Sequence, residues 1–305
     1  MNKTSIEWTD YTAGLIKSTH AGGPVSFDEW EARRILRTRT TGKRILMKGD
    51  PFEEDVPDAL LDRMFAVFAL RPDLVFQVLT KRPERMRAYL TKGPIKRYWN
   101  GLLAEWRELE DMPRDSAIAI AAAVMSVSRD GWIQPVEPTP WPLPNVWLGV
   151  SVEDQAAAEK RIPALLDTPA AVRFLSCEPL LGQLMLRRPI VPGSFPGLHW
   201  VIVGGEAGAT TPVAAGLASA AAAVAESGPG ARPCDIGWIR DIVGQCRAAD
   251  VPVFVKQLGA KPFDGAEGFR CDAEPHEWAW LKLRDRKGGD MSEWPDDLRV
   301  REFPR

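Results

Sequence analysis

The sequence predicts an α/β protein, a complete or partial parallel (β/α) barrel in one domain over 1–305. Three observations predict it. Short apolar runs recur and end abruptly in polar residues, most clearly at Val172–Leu181 (Val-Arg-Phe-Leu-Ser-Cys-Glu-Pro-Leu-Leu), as strands buried on both faces do. Helix-period patterns separate the runs, which implies parallel pairing through right-handed crossovers. No G-x-G-x-x-G and no P-loop lysine follows any run. The fingerprints of open, doubly wound nucleotide-binding sheets are therefore missing, which favours the barrel over that alternative.

In chain order, Ser5–Thr9 is a short first strand. From Tyr11 to Arg44 no clear period emerges, apart from a turn at Gly22-Gly23-Pro24 and a helix through Arg37 capped by Ser26 or Asp28. Arg44–Lys48 is a strand ending at Gly49-Asp50-Pro51. The next helix has Asp55 as its cap, Pro57 in its first turn, and Leu60, Leu61, Met64, Phe65 and Phe68 as its apolar stripe. Leu74–Leu79 is a strand ending in Thr80-Lys81-Arg82, and a helix runs from Pro83 to about Leu90.

Residues 95–143 break the rhythm and read as an insertion, closing in a proline-rich extended connector. Asn145–Val150 then ends in Ser151-Val152-Glu153, and a helix reaches about Asp167. Val172–Cys177 ends in Glu178-Pro179, and Trp200–Val203 ends in Gly204-Gly205-Glu206. An alanine-rich insertion fills 207–226. Asp235 caps a helix with Ile236, Ile239, Val243 and Cys246 on one face, and Val251–Val255 ends in Lys256-Gln257. The tail, 260–305, reads as irregular.

Composition narrows the function classes. A net charge of −2 argues against wholesale wrapping by nucleic acid. It leaves room for a local contact at the basic run 33–44 (Arg33, Arg34, Arg37, Arg39, Lys43, Arg44), whose other reading is a solvated helix face. Twelve tryptophans could stack on bases or sugars, though packing accounts for them as well. Cys177, Cys234, Cys246 and Cys271 form no C-x-x-C pair, so neither a zinc knuckle nor a disulfide framework is expected. Met1–Asp10 has no apolar signal-type region and no stretch is apolar enough to span a bilayer, so a cytoplasmic location without membrane contact is expected.

In a parallel barrel the strand carboxyl ends meet at one face. They would bring together Lys48 and Asp50, Thr80, Lys81 and Arg82, Ser151 and Glu153, Cys177 and Glu178, Gly204, Gly205 and Glu206, and Lys256 and Gln257. Glu178, Glu206 and Lys256 are the catalytic candidates, because close opposite charges shift one another's pKa and suit acid–base work. Asp50, Lys81, Arg82, Ser151, Glu153, Gly204, Gly205 and Gln257 would bind a ligand, an unidentified small molecule or nucleotide. The two glycines would let backbone approach it closely. The alternative for each residue is a salt bridge closing the barrel top. Cys177 lacks a base, since none of His20, His199 and His276 occupies an evident position for one, and reads as a buried thiol. Lys256 could form a Schiff base if desolvated.

These residues also match a family. Ile6–Asp10, Phe76–Met86, Val146–Glu153, Phe174–Leu181, Trp200–Glu206, Phe254–Gly259, and the tail Arg286–Asp290 with Trp294-Pro295 resemble uncharacterised phage and prophage proteins. Those proteins are described as three-cysteine-motif or radical-SAM-like. The resemblance implies a radical-SAM-type barrel with three cysteines shortly after the Ile-Glu-Trp-Thr-Asp segment. They would hold an iron–sulfur cluster beside S-adenosylmethionine. This chain departs there: Tyr11-Thr12-Ala13-Gly14 follows Asp10, and no cysteine precedes Cys177. Three readings stay open: a radical-SAM-type enzyme, a cluster-less barrel that keeps a polar ligand pocket, and a cluster-free acid–base enzyme. The two enzyme readings could act on a nucleotide or nucleic acid, and the cluster-less barrel would bind a ligand or partner without radical chemistry.

Overall fold

A computed structural model describes residues 9–17, 25–92, 125–127, 133–135, 141–186, 197–207, 231–265 and 279–304. The first strands are β1 (Tyr11–Ala13), β2 (Ile16–Lys17) and β3 (Ser26–Phe27), followed by α1 (Glu29–Arg37), β4 (Arg44–Met47), α2 (Asp58–Leu70), β5 (Val75–Thr80) and α3 (Pro83–Thr91). A hairpin, β6 (Met125–Val127) with β7 (Ile133–Pro135), precedes β8 (Val146–Ser151), α4 (Gln155–Leu166), β9 (Val172–Cys177) and β10 (Trp200–Gly204). Then come β11 (Cys234–Asp235), α5 (Ile236–Ala248), β12 (Val253–Gln257), β13 (Pro262–Asp264) and β14 (Ala279–Trp280).

The α/β class and the parallel sheet match expectation. Seven strands follow the order β1-β4-β5-β8-β9-β10-β12. Among the described residues the order never reverses, unlike that of a doubly wound sheet, and β1 and β12 are its two ends. Of the two barrel forms expected, this is the partial one.

By compactness the chain divides into two units: Thr9–Val150 with Ala164–Arg173, and Met1–Trp8 with Ser151–Pro163 and Phe174–Arg305. In the first, β1, β4, β5 and β8 pair in that order, with Tyr11 opposite Ile45, Arg44 opposite Val75 and Phe76 opposite Val146. The first strand among the described residues is Tyr11–Ala13, a stretch with no clear period in the sequence; the expected strand at Ser5–Thr9 lies outside the described residues except for Thr9. The α2 helix buries Leu61, Met64, Phe65 and Phe68, and Phe68 stacks on Phe76 at 4.3 Å. It starts later than expected: extended Pro57 occupies the cap position, so Asp55 does not cap it. At the other end the Asn145 amide donates to the carbonyls of Phe68, Arg71 and Leu74 at 2.9–3.1 Å, tying the residue before β8 to the end of α2 and the turn after it. Asp28 caps α1 as expected, accepting from the Glu31 N–H.

In the second unit, β9, β10 and β12 pair in order, with Trp200 opposite Phe174 and Val201 opposite Val253. The core is aromatic: Trp200 lies 5.9 Å from Phe174, 6.1 Å from Phe254 and 5.5 Å from Phe303, centroid to centroid. The expected α5 stripe is buried. The tail is more regular than expected. β13 joins β11 and β14 in a small sheet. Farther on, Val255 N–H donates to Val300 O and Glu302 N–H to Val253 O, so the chain end covers the edge of β12. Most of the insertion at 95–143, and all of that at 207–226 except Ala207, lies outside the described residues.

Candidate functional site

The expected residues divide between the two units, Asp50, Lys81 and Arg82 in the first and the others in the second. In the first unit Asp50, just beyond β4, is saturated. It accepts from Thr80 Oγ1 at 2.6 Å, from the Phe52 and Lys81 N–H groups at 3.0 and 2.9 Å, and from Arg82 Nη1 at 2.9 Å. This pins the end of β4 to the end of β5. Arg82 also lies 3.7 Å from Glu53, while the Lys81 side chain is exposed. Four donors on one carboxylate make a clamp first; a ligand would have to engage Arg82 from its exposed side.

The second unit holds the other candidates. The parallel direction of β9 and β12 puts Glu178 and Lys256 at the same edge, and Lys256 Nζ sits 3.0 and 2.9 Å from the two Glu178 oxygens. Gln257 Nε2 donates both to Glu178 Oε1 and to the Gly205 carbonyl, each at 2.9 Å. Glu178, Lys256, Gln257 and Gly205 are thus one network. Its side chains are not sealed off: Lys256 is 29% and Glu178 16% exposed. Glu206 is engaged by Arg232 through Nε at 2.9 Å, Nη2 at 3.1 Å and the backbone N–H at 2.8 Å. Glu153 pairs with Arg161 at 2.7 Å, and Arg161 also donates to Ser151 O.

Gly204 and Gly205 face protein. A Cβ on Gly204 would stand 2.9 Å from Gln257 O, and one on Gly205 2.3 Å from Leu258 O. Their bareness admits the Gln257–Leu258 backbone in the place where a ligand was expected. Three arginines were missed. Arg232 and Arg161 pair with glutamates from outside the strands. Arg301 donates to the Val255 and Lys256 carbonyls while its guanidinium lies over Phe254 and Trp294. Arg232 follows shortly after the alanine-rich insertion at 207–226, and no strand-end pattern marked any of the three.

The two glutamates differ in electrostatics. Burial pushes the Glu178 carboxyl above the usual range, and Lys256 opposes this only in part. At Glu206 burial acts in the same direction but is outweighed by the hydrogen bonds and charge of Arg232, which hold it below that range. The signs make opposite predictions. A raised folded-state pKa means the native protein binds the extra proton, so the Glu178 contribution is lost as pH rises from about 4.5 through the raised value. The melting temperature of wild type minus that of Glu178→Gln should therefore fall as pH rises above 4.5. A difference that stays flat or rises with pH would contradict it. Glu206 contributes stability above its ordinary range, lost on acidification.

An iron–sulfur cluster does not fit the described residues. Cys177, Cys234 and Cys246 are buried, and burial pushes all three thiols up, Cys234 and Cys246 to about 12, whereas a cluster needs thiolates. Among the described residues no group of three or more His, Cys, Asp or Glu side chains is placed to hold a metal. No described helix is long and apolar enough to cross a membrane.

A family model described as a protein of unknown function, DUF5131, matches residues 22–215 and 219–286. The chain belongs to the DUF5131 family. All the candidate site residues lie inside the matched DUF5131 residues, while Arg301 falls beyond them. No curated protein and no solved structure matched the chain.

Proposed function

We propose that this DUF5131 protein is a cluster-less, phage-associated relative of radical-SAM barrels that binds a small polar ligand, an amino-acid-like molecule or nucleotide, at its strand ends. The observation that carries the reading is the Glu178–Lys256–Gln257 network. A carboxylate and an ammonium held together, partly exposed and backed by an amide, can trade partners with a ligand's ammonium and carboxylate at little reorganisation cost. S-adenosylmethionine carries both groups, which makes it the first ligand to test. The cluster-less part rests on the lack of any cysteine before Cys177 and on the burial of three of the four thiols. A second reading, cluster-free acid–base chemistry, is favoured by one observation: the raised Glu178 pKa beside Lys256.

Titration calorimetry with S-adenosylmethionine and with nucleotides tests the pocket in wild type, Glu178→Ala and Glu206→Ala. Loss of a charge-assisted hydrogen bond should weaken binding by about 10- to 100-fold. Equally weak binding in all three proteins would count against the pocket. Anaerobic reconstitution with iron and sulfide analysis tests the other half: a stable cluster that cleaves S-adenosylmethionine would overturn the cluster-less assignment.

A further inference from the structure

The strand-end network of the second unit has a positive rim. Ala260 N–H donates to Glu206 O at 2.8 Å, Cys234 N–H to Lys261 O at 3.0 Å, Leu281 N–H to Pro262 O at 3.0 Å and Leu258 N–H to Gly288 O at 2.8 Å. These bonds gather Lys261, Lys282, Arg286 and Lys287 around the backbone that directly follows Lys256 and Gln257. Lys282, Arg286 and Lys287 are exposed, and Lys261 is partly so. Among the described residues, none of these four side chains has a hydrogen-bond or ion-pair partner. The acids of the same stretch are engaged elsewhere. Asp285 accepts from the Lys287 and Gly289 N–H groups at 3.1 and 2.9 Å, Asp290 from Ser292 Oγ at 2.8 Å, and Glu293 from Arg284 Nε at 2.6 Å. Within the network itself the charges cancel, Glu178 against Lys256 and Glu206 against Arg232.

Scattered surface lysines are ordinary, but these cations are grouped. Lys261 and Lys282 occupy neighbouring positions just beyond the Leu281–Pro262 bond, where like charges repel, and Arg286 and Lys287 share one turn. We propose that the rim takes the phosphates of a nucleoside polyphosphate, so that the strand-end ligand is a nucleotide and not an amino-acid-like molecule. This assignment, which rests on the proposed strand-end pocket, follows from charge. An amino-acid-like ligand brings one ammonium and one carboxylate, which Glu178 and Lys256 match without the rim. S-adenosylmethionine adds a sulfonium, which the rim repels. A chain of phosphates brings several anionic oxygens, enough to meet cations from both segments. A nucleic-acid strand needs a longer positive track.

Titration calorimetry at low salt with adenosine, AMP, ADP and ATP tests this, with inorganic tripolyphosphate, S-adenosylmethionine and an oligothymidylate alongside. Affinity should climb with each phosphate and fall as salt rises. Arg286→Gln and Lys287→Gln should each weaken ATP and tripolyphosphate binding by about fivefold, the worth of one close unit charge in water, and leave adenosine binding unchanged. Arg286→Lys and Lys287→Arg should bind ATP like wild type. These side chains are exposed, so all four variants should melt with wild type. Glu178→Ala should weaken adenosine and ATP alike. The two ways of failing are distinct. Adenosine binding that needs Glu178 but gains nothing from phosphates, or from Arg286 and Lys287, would overturn the rim and leave the strand-end pocket standing. ATP binding that needs the rim but not Glu178 would overturn the joined site. Tighter binding of S-adenosylmethionine or of oligothymidylate than of ATP would overturn the nucleotide assignment.

Discussion

Trp200→Ala should destabilise the protein by about 3–5 kcal/mol, the range for truncating a buried aromatic side chain. Trp200 is fully buried, packed among Phe174, Phe254 and Phe303, so truncation leaves a hole lined by rigid rings that collapse poorly. It also removes an indole N–H that donates to Glu302 O at 2.8 Å. That bond fastens the chain end to β10, beside the backbone bonds that lay the same segment along β12. The loss should therefore appear twice. The urea midpoint, followed by circular dichroism, should fall steeply with little change in slope, and proteolysis near the C-terminus should speed up. Trp200→Phe keeps a ring but not the N–H and should lie between. A loss below about 1 kcal/mol would mean that the aromatic cluster is not the centre of this unit.

The strands that carry candidate residues were legible because each is a compact apolar run closed by a polar tip. Once such strands run parallel, their tips must share an edge, and Glu178 meets Lys256 and Gln257 for that reason. Elements whose stability comes from partners were not legible. Tyr11-Thr12-Ala13 has no period of its own and becomes a strand by pairing with Ile45–Met47. The tail looks irregular because its order comes from β12, Trp294 and Arg301. The arginines that set the electrostatics were hidden by distance along the chain: Arg232 lies 26 residues from Glu206, and Arg301 lies 45 from Lys256. Side chains reaching across such separations leave no periodic trace.

The two glycines of the Gly-Gly-Glu segment pack against the Gln257–Leu258 backbone, and Gly205→Ala tests that packing role. A Cβ there would stand 2.3 Å from Leu258 O and 2.9 Å from both Leu258 C and Cys234 Cβ, and the first two are backbone atoms that no rotamer change can clear. Retreat is blocked on the far side. Gly259, at φ +93°, fits against Gly205 so closely that its own Cβ would come within 3.0 Å of the Gly205 backbone. Gly288, at φ +66°, would in turn press on Gly259 O at 2.4 Å. Three bare backbones are stacked, tied by Gly205 N–H to Gln257 O, Ala260 N–H to Glu206 O and Leu258 N–H to Gly288 O. One methyl group must part the stack, so the cost should reach or exceed the usual overpacking range, about 3 kcal/mol or more. Gly244→Ala is the control: it lies in α5 with nothing within 4 Å of the added Cβ, and should stabilise by about 0.5–1 kcal/mol. Because Gln257 Nε2 bridges Gly205 O and Glu178, the shift also moves the amide behind the Glu178–Lys256 pair. Ligand affinity should then fall even in the fraction that stays folded. Gly205→Ala with native stability but lost affinity would return these glycines to the role of ligand cradle.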